Sequence, residues 1–370
     1  MLKNGLGELI DATVPTATRF VDLFSGSTAV ARFVATRHAI PVLAVDLQAY
    51  SSVLATAIIG RTKRLDADKA WDTWFDAALR KVRSARDTPD VSRVTRETVR
   101  AARRWCELRR SRPITAAYGG HYFSPIQALW IDALRATLPS KSPYFTVALA
   151  ALIESASQCV AAPGHTAQPF QPTRTAKRFL VDAWNRDVPS RVKANFVQLC
   201  EIHAKQHGRA IVGEATKLAN GLRKGDLVFI DPPYSGVHYS RFYHVLETIA
   251  TGDRCKAEGV GRYPEAIRRP KSEFSFKTKS KGALDKLLGR VAMKGASAIL
   301  TFPDHNCSNG LSGDIVRSVA RQHFEVREKV VSSKFSTLGG TSGLSARGSE
   351  RAARQQANEL ILQLSPKRSA

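Results

Sequence analysis

The apolar and polar positions of the chain alternate between short strand patterns and longer helical ones. Arg19-Phe20-Val21-Asp22-Leu23-Phe24 has a strand pattern and runs into Ser25-Gly26-Ser27-Thr28, after which residues 29–34 read as a helix. Ile40 to Val45 predicts a second strand, ending on Asp46. Residues 209–212, 226–230, 296–302, 324–331 and 360–364 predict five more. The texture between 62 and 207 is different. Trp71, Trp74, Phe75, Ala78, Leu79 and Val82 recur at helical spacing, which is the signature of a packed stripe. Residues 125–138, 144–160 and 188–206 predict further helices there, and residues 244–252 and 313–322 predict two more beyond it. Strands separated by helices imply an α/β fold. The expected organisation is one discontinuous domain, 1–61 with 208–365, a mainly helical insertion, 62–207, and a disordered tail, 366–370.

Charge adds an expected partner. Among 370 residues there are 56 Lys+Arg against 32 Asp+Glu, a net +24. Such an excess points to a polyanion, and the commonest is nucleic acid. From Arg80 to Arg112 there are twelve basic residues against four acids. Arg103, Arg104, Arg109 and Arg110 in this run are candidates for phosphate contact. A second basic stretch carries Lys277 and Lys279 among Tyr263, Phe274 and Phe276, a composition suited to backbone contact and base stacking. No stretch reaches the ~18 apolar residues of a membrane span, and Met1 to Asp11 lacks a signal-peptide core. The five cysteines are scattered and form no Cys-x-x-Cys pair. That suits a reducing compartment, argues against structural zinc, and leads us to expect a cytoplasmic protein with no metal site.

Two stretches carry chemistry. The first is the strand, glycine turn, helix, strand and acid that runs from Arg19 to Asp46. Asp46 follows Gly26 by twenty residues, the spacing at which an acid accepts from a ribose hydroxyl. There is no G-x-G-x-x-G and no Walker A run, so a nucleoside cofactor without phosphates fits better, S-adenosylmethionine being one. The second is Asp231-Pro232-Pro233-Tyr234 after the apolar strand 226–230. It places a carboxylate, a rigid backbone and an aromatic ring where ligands bind in open α/β sheets. An exocyclic amine on adenine is a poor nucleophile because its lone pair is delocalised into the ring. Two fixed acceptors, the Asp231 carboxylate and the Pro232 carbonyl, would hold its two N–H bonds and turn the lone pair out of conjugation. Tyr234 would stack on the base, and a base in duplex DNA would have to be flipped out.

These residues resemble the S-adenosylmethionine-dependent DNA adenine-N6 methyltransferases of the Dam-like type. Phe24-Ser25-Gly26-Ser27 resembles their cofactor motif, Asp46 the ribose-binding acid, and Asp231-Pro232-Pro233-Tyr234 their catalytic motif. Glu214 stands in the place of an acid near the cofactor adenine. The resemblance implies a Rossmann-like class I methyltransferase sheet with helices on both faces, carrying an inserted helical basic region. It implies S-adenosylmethionine as cofactor, held by Asp22, Phe24, Ser25, Gly26, Ser27, Thr28, Asp46, Glu214 and Ala215. It also implies a DNA substrate, expected to be double-stranded. Tyr239 to His244 and the late Gly339-Gly340-Thr341 resemble segments of related bacterial adenine methylases. Three departures stand out. Ser27 replaces the usual second glycine. Glu214 replaces the more frequent Asp. The Gly-Gly-Lys segment before the cofactor motif is absent, and Tyr118-Gly119-Gly120-His121 is the candidate to replace it. RNA adenine and cytosine N4 are the neighbouring acceptors; Asp rather than Ser at position 231 favours adenine. A DNA-binding protein on an inactive methylase scaffold is the reading from another class. The chain carries no nuclease motif, so any restriction or defence partner would be a separate chain.

Overall fold

The structure is a computed structural model that describes residues 2–333 and 357–367. The Gly339-Gly340-Thr341 segment lies outside the described residues. In chain order the elements are α1 (Leu6–Thr13), β1 (Arg19–Asp22), α2 (Ala29–Arg37), β2 (Val42–Asp46), α3 (Ala49–Ile59), α4 (Asp68–Arg83), α5 (Arg96–Glu107) and α6 (Pro113–Tyr118). Then come α7 (Pro125–Ala136), α8 (Tyr144–Cys159), α9 (Lys177–Trp184), α10 (Val188–Glu201), β3 (Arg209–Val212), α11 (Ala215–Leu218), β4 (Asp226–Ile230) and α12 (His244–Thr251). The last are α13 (Ser280–Met293), β5 (Ser297–Pro303), α14 (Gly313–His323), β6 (Phe324–Ser333) and β7 (Ala357–Pro366).

By compactness the chain divides into two units, and the lines fall elsewhere than at 61/62 and 207/208. The first unit is 1–47, 204–239 and 271–370; the second is 48–203 with 240–270. The first contains a seven-stranded sheet in the order β3-β2-β1-β4-β5-β7-β6. β3, β2, β1, β4 and β5 run parallel, and β7 lies antiparallel between β5 and β6. All five residues of β4 are buried. Consecutive side chains on a strand point to opposite faces, so this strand is covered on both, as a parallel sheet requires. One face gathers Val21, Val228, Ala298, Leu300, Leu362 and Leu364 against Leu284, Leu287, Leu288 and Val291 of α13 and Val316 and Val319 of α14. At the start of β4, Asp226 faces its register partner Arg19 across the sheet. The guanidinium holds the buried carboxylate through Nε at 3.0 Å and Nη2 at 2.6 Å. This is the α/β fold that the strand pattern predicted, with the Rossmann-like sheet that the resemblance implied. The predicted disordered tail is corrected at its first residue: Pro366 ends β7, and Lys367 Nζ donates to the Gln322 carbonyl at 2.9 Å.

The second unit is helical. α8 is the central helix: its ten buried residues, from Val147 to Cys159, are mostly small or aliphatic. The tryptophan stripe of α4 is core, as its spacing predicted. Trp74 packs edge-on to Phe196 and donates Nε1–H to the Leu134 carbonyl at 2.9 Å. Glu247 of α12 receives the N-terminus of α3, accepting from Ala49 N at 2.9 Å and Tyr50 N at 3.0 Å. An acid at the positive end of a helix is favourable twice over, by hydrogen bonding and by charge.

Candidate active site

The two chemical loops emerge from adjacent strands. The chain builds outward from β1 through β2 to β3 on one side, and from β4 to β5 on the other. The order therefore reverses between β1 and β4, and ligands bind at the carboxyl ends of strands at such a reversal. Phe24 to Thr28 follow β1, and Asp231 to Tyr234 follow β4. Leu23 N donates to the Phe229 carbonyl at 3.1 Å, which carries the ladder one residue past β1.

The turn after β1 is built from backbone. Ser25 N donates to Val45 O at 2.9 Å, and Thr28 N closes the turn on Ser25 O at 2.6 Å. Gly26 has φ +49 and Thr28 φ +63, both in the left-handed region. A Cβ on Gly26 would meet only Phe24 O, at 3.8 Å, so glycine is needed here for the backbone's hand and not for room. Asp46 Oδ2 accepts from Gly26 N at 2.8 Å, so the acid at the end of β2 fixes the turn. Ser25 is buried, and its Oγ has no hydrogen-bond partner among the described residues. An orphaned hydroxyl and a positive-φ glycine with open space above it together fit a nucleoside cofactor. Ser27, in place of the second glycine, is exposed. Asp22 lies beneath the turn with Phe24 N 3.3 Å from its Oδ1. Burial, with Asp231 and Asp46 nearby, pushes its carboxyl up to about 8.

Two predicted cofactor residues have other work. Glu214 caps α11, accepting from Thr216 N at 2.9 Å and Lys217 N at 2.8 Å, one to each carboxylate oxygen. Its place is explained by the helix it starts. Ala215 is buried in the sheet core, so its methyl group is a packing group. Phe24 is half-buried, and its ring meets Phe274 edge-on, centroids 5.2 Å apart.

On the β4 side, Asp231 Oδ1 accepts from Thr301 Oγ1 at 2.9 Å, across the register of β4 and β5. Desolvation pushes the Asp231 carboxyl up to about 7, against the pull of the Thr301 hydroxyl. The Pro233 carbonyl accepts from Asn309 Nδ2 at 2.8 Å, and Gly236 N donates to Ser308 Oγ at 2.9 Å. Tyr234 is 39% exposed, and its ring stands edge-on to Tyr239, centroids 6.4 Å apart. Thr301 and Asn309 escaped the sequence reading. Thr301 had a signal, as a hydroxyl inside the apolar run 296–302. Asn309 lies 76 residues from its partner and had none.

The basic candidates separate. Arg103 is half-buried: its Nε donates to Gly120 O at 2.9 Å and its Nη2 to Gln171 Oε1 at 2.9 Å. Arg109 lies over Trp105, 3.4 Å from the ring centroid. Both of these candidates for phosphate contact have packing partners within the protein. Arg104 and Arg110 are exposed, as are Arg96 and Arg100, which share a helical face with Arg104 at intervals of four. Lys277 and Lys279 are exposed in the first unit. The Tyr118-Gly119-Gly120-His121 turn packs on α5. A Cβ on Gly120 would fall 2.9 Å from Arg103 N, and one on Gly119 2.6 Å from Cys106 Sγ. Close approach to α5 explains these glycines without a cofactor.

The model of the D12 class N6 adenine-specific DNA methyltransferase family matches residues 2–79 and 191–271. Both loops fall in the matched segments, and most of the helical insertion falls between them. Among curated proteins, the modification methylase LlaI of Lactococcus lactis subsp. lactis is 29% identical over 170 residues, covering 43% of this chain. The chain spans 25% of the length of that relative. The family match bears out the resemblance to adenine-N6 methyltransferases, and the relative is by name a modification methylase. No helix among the described residues is long and apolar enough to cross a membrane.

Proposed function

We propose that this chain is a DNA adenine-N6 methyltransferase that uses S-adenosylmethionine. The observation that carries the reading is the meeting of two loops at the β1/β4 reversal, a glycine turn fixed by Asp46 and the Asp231-Pro232-Pro233-Tyr234 loop. The family match to both loops supports it. Ser25, Gly26 and Asp46 would hold the cofactor, which supplies an electrophilic methyl group. Asp22 and Phe24 support the turn from below and from the side. The Asp231 carboxylate and the Pro232 carbonyl would accept the two N–H bonds of the adenine amine and point its lone pair at the methyl carbon. As the N–C bond forms and the S–C bond breaks, the amine becomes cationic. Asp231 stabilises that charge and takes the proton, a task suited to a carboxyl whose pKa lies near 7. Tyr234 would stack on the flipped base.

The helical unit is the proposed DNA-recognition region, with the exposed Arg96, Arg100 and Arg104 face of α5 on phosphates. Double-stranded DNA is the proposed substrate, in a cytoplasmic restriction-modification or phage-defence setting. The test is incubation with methyl-labelled S-adenosylmethionine and duplex DNA or RNA. Label in DNA, abolished by Asp231→Ala, supports the proposal. Label in RNA alone, or none in either, refutes it.

A further inference from the structure

Prolines at 232 and 233 give the catalytic loop a stiff backbone but remove two N–H groups, so the loop cannot tie itself down in the usual way. Its anchors have to come from elsewhere, through its carbonyls. The structure shows where. Asn309 is fully buried in the turn between β5 and α14. Its Nδ2 donates to Pro233 O at 2.8 Å and to Phe274 O at 3.0 Å, and its Oδ1 accepts from Leu311 N at 3.2 Å. Both N–H bonds of the amide are thereby used, and the two carbonyl partners fix which atom is the nitrogen. The Asn309 carbonyl accepts from Ser280 Oγ at 2.8 Å, which holds the residue on α13. The neighbouring Ser308 accepts from Gly236 N, so the loop is pinned at two points by consecutive residues. The far partner, Phe274, sets its ring edge-on against Phe24 of the cofactor turn, 5.2 Å away.

We infer that Asn309 is a positioning residue for methyl transfer: it holds the Asp231–Tyr234 loop at a fixed distance from the cofactor turn through Pro233 on one side and Phe274 on the other. The inference rests on the methyltransferase reading above. The two reacting centres belong to different loops, and this amide ties the Pro233 carbonyl of one to Phe274, whose ring packs on Phe24 of the other. A reacting pair displaced by ~1 Å loses about 100-fold in rate, so the anchor acts on the chemical step.

The duller role is a buried amide that satisfies two carbonyls and matters only for folding. Single-turnover methyl transfer at saturating S-adenosylmethionine and duplex DNA separates the two. Misfolded protein lowers the amplitude; a misplaced loop lowers the rate constant. Asn309→Asp keeps the shape and the acceptor for Leu311 N but removes both donors. The expected result is a rate constant lower by about 10- to 100-fold at full occupancy of both ligands. A rate constant within about twofold of wild type, with only the amplitude reduced, overturns the inference. Ser308→Ala provides a second reading at an exposed position: it frees Gly236 N, and a several-fold fall in rate constant at unchanged melting temperature is expected. If Asn309→Asp does not fold, an unchanged rate in Ser308→Ala overturns the inference. Wild-type protein that transfers nothing overturns the methyltransferase reading and this inference together. A normal wild-type rate with unchanged variant rates overturns this inference alone.

Discussion

Replacing Thr301 with Val tests the electrostatics of the site without touching a substrate-binding group. The two side chains have the same shape, and Thr301 is buried. The one bond removed is the Oγ1–H to Asp231 Oδ1, 2.9 Å long. A hydrogen bond to a charged group is worth ~1.5–3 kcal/mol, and a tenfold change in an ionisation constant is about 1.4 kcal/mol. The hydroxyl favours the ionised carboxylate, so its loss drives the Asp231 pKa up from about 7 to about 8 or beyond. The proposed mechanism needs Asp231 ionised. In wild type kcat/KM should therefore rise through a midpoint near pH 7 and level off above it. In Thr301→Val the midpoint moves upward. With the midpoint at about pH 8, activity at neutral pH falls about fivefold, and the two curves converge at alkaline pH. The assay is the initial rate of label transfer at subsaturating DNA across a pH series. An unmoved midpoint, or a uniform loss at every pH, refutes the assigned role of the Thr301 hydroxyl.

Three other perturbations probe separate parts of the account. Asp46→Ala removes the acceptor of Gly26 N and the proposed partner of the ribose, so cofactor affinity by calorimetry should fall about 10- to 100-fold; unchanged affinity would remove Asp46 from the cofactor site. Changing Arg96, Arg100 and Arg104 together to Gln should weaken binding to every duplex alike. The slope of log affinity against log salt should become shallower by about 0.9 for each phosphate no longer neutralised. Arg103→Gln should instead lower the melting temperature, because its guanidinium holds Gly120 and Gln171; the reverse pattern would contradict the division between phosphate-binding and structural arginines. Asp22 has a folded-state pKa of about 8, raised above the ordinary 3.8. The stabilising proton it holds is fully present below about pH 4 and is lost as pH rises through about 8. Asp22→Asn should flatten that fall in urea-unfolding free energy, an effect on the order of a few kcal/mol; identical pH slopes would show that Asp22 is not buried as described.

Much of this was legible in the chain because it is local. The strand patterns, the glycine turn and the Asp-Pro-Pro-Tyr loop each lie within a few residues of sequence, whereas the order of the sheet, β3-β2-β1-β4-β5-β7-β6, departs from the order along the chain. Several helices went unpredicted, and α13 and α5 show why. α13 carries Leu284, Leu287, Leu288 and Val291 at helical spacing, but its lysine-rich approach masks the start. α5 is so rich in arginine that its apolar stripe, Val99, Ala102 and Cys106, is thin, although Thr95 and Thr98 form a capping box at its start. Other features depend on pairs far apart in the chain. Glu247 caps a helix that begins 198 residues before it. Contacts of that span place 240–270 in the helical unit, where a reading along the chain would keep them with the sheet. Glu214 shows the converse limit. An acid after a strand fits a ligand site, and the same acid is also what starts the next helix.

The central claim is that the β1/β4 loops transfer a methyl group to the N6 nitrogen of adenine in DNA. Nucleoside mass spectrometry of duplex DNA incubated with the protein and S-adenosylmethionine tests it most directly. The account predicts N6-methyladenine with wild type and none with Asp231→Ala. N4-methylcytosine as the product, or N6-methyladenine formed undiminished by Asp231→Ala, would contradict it.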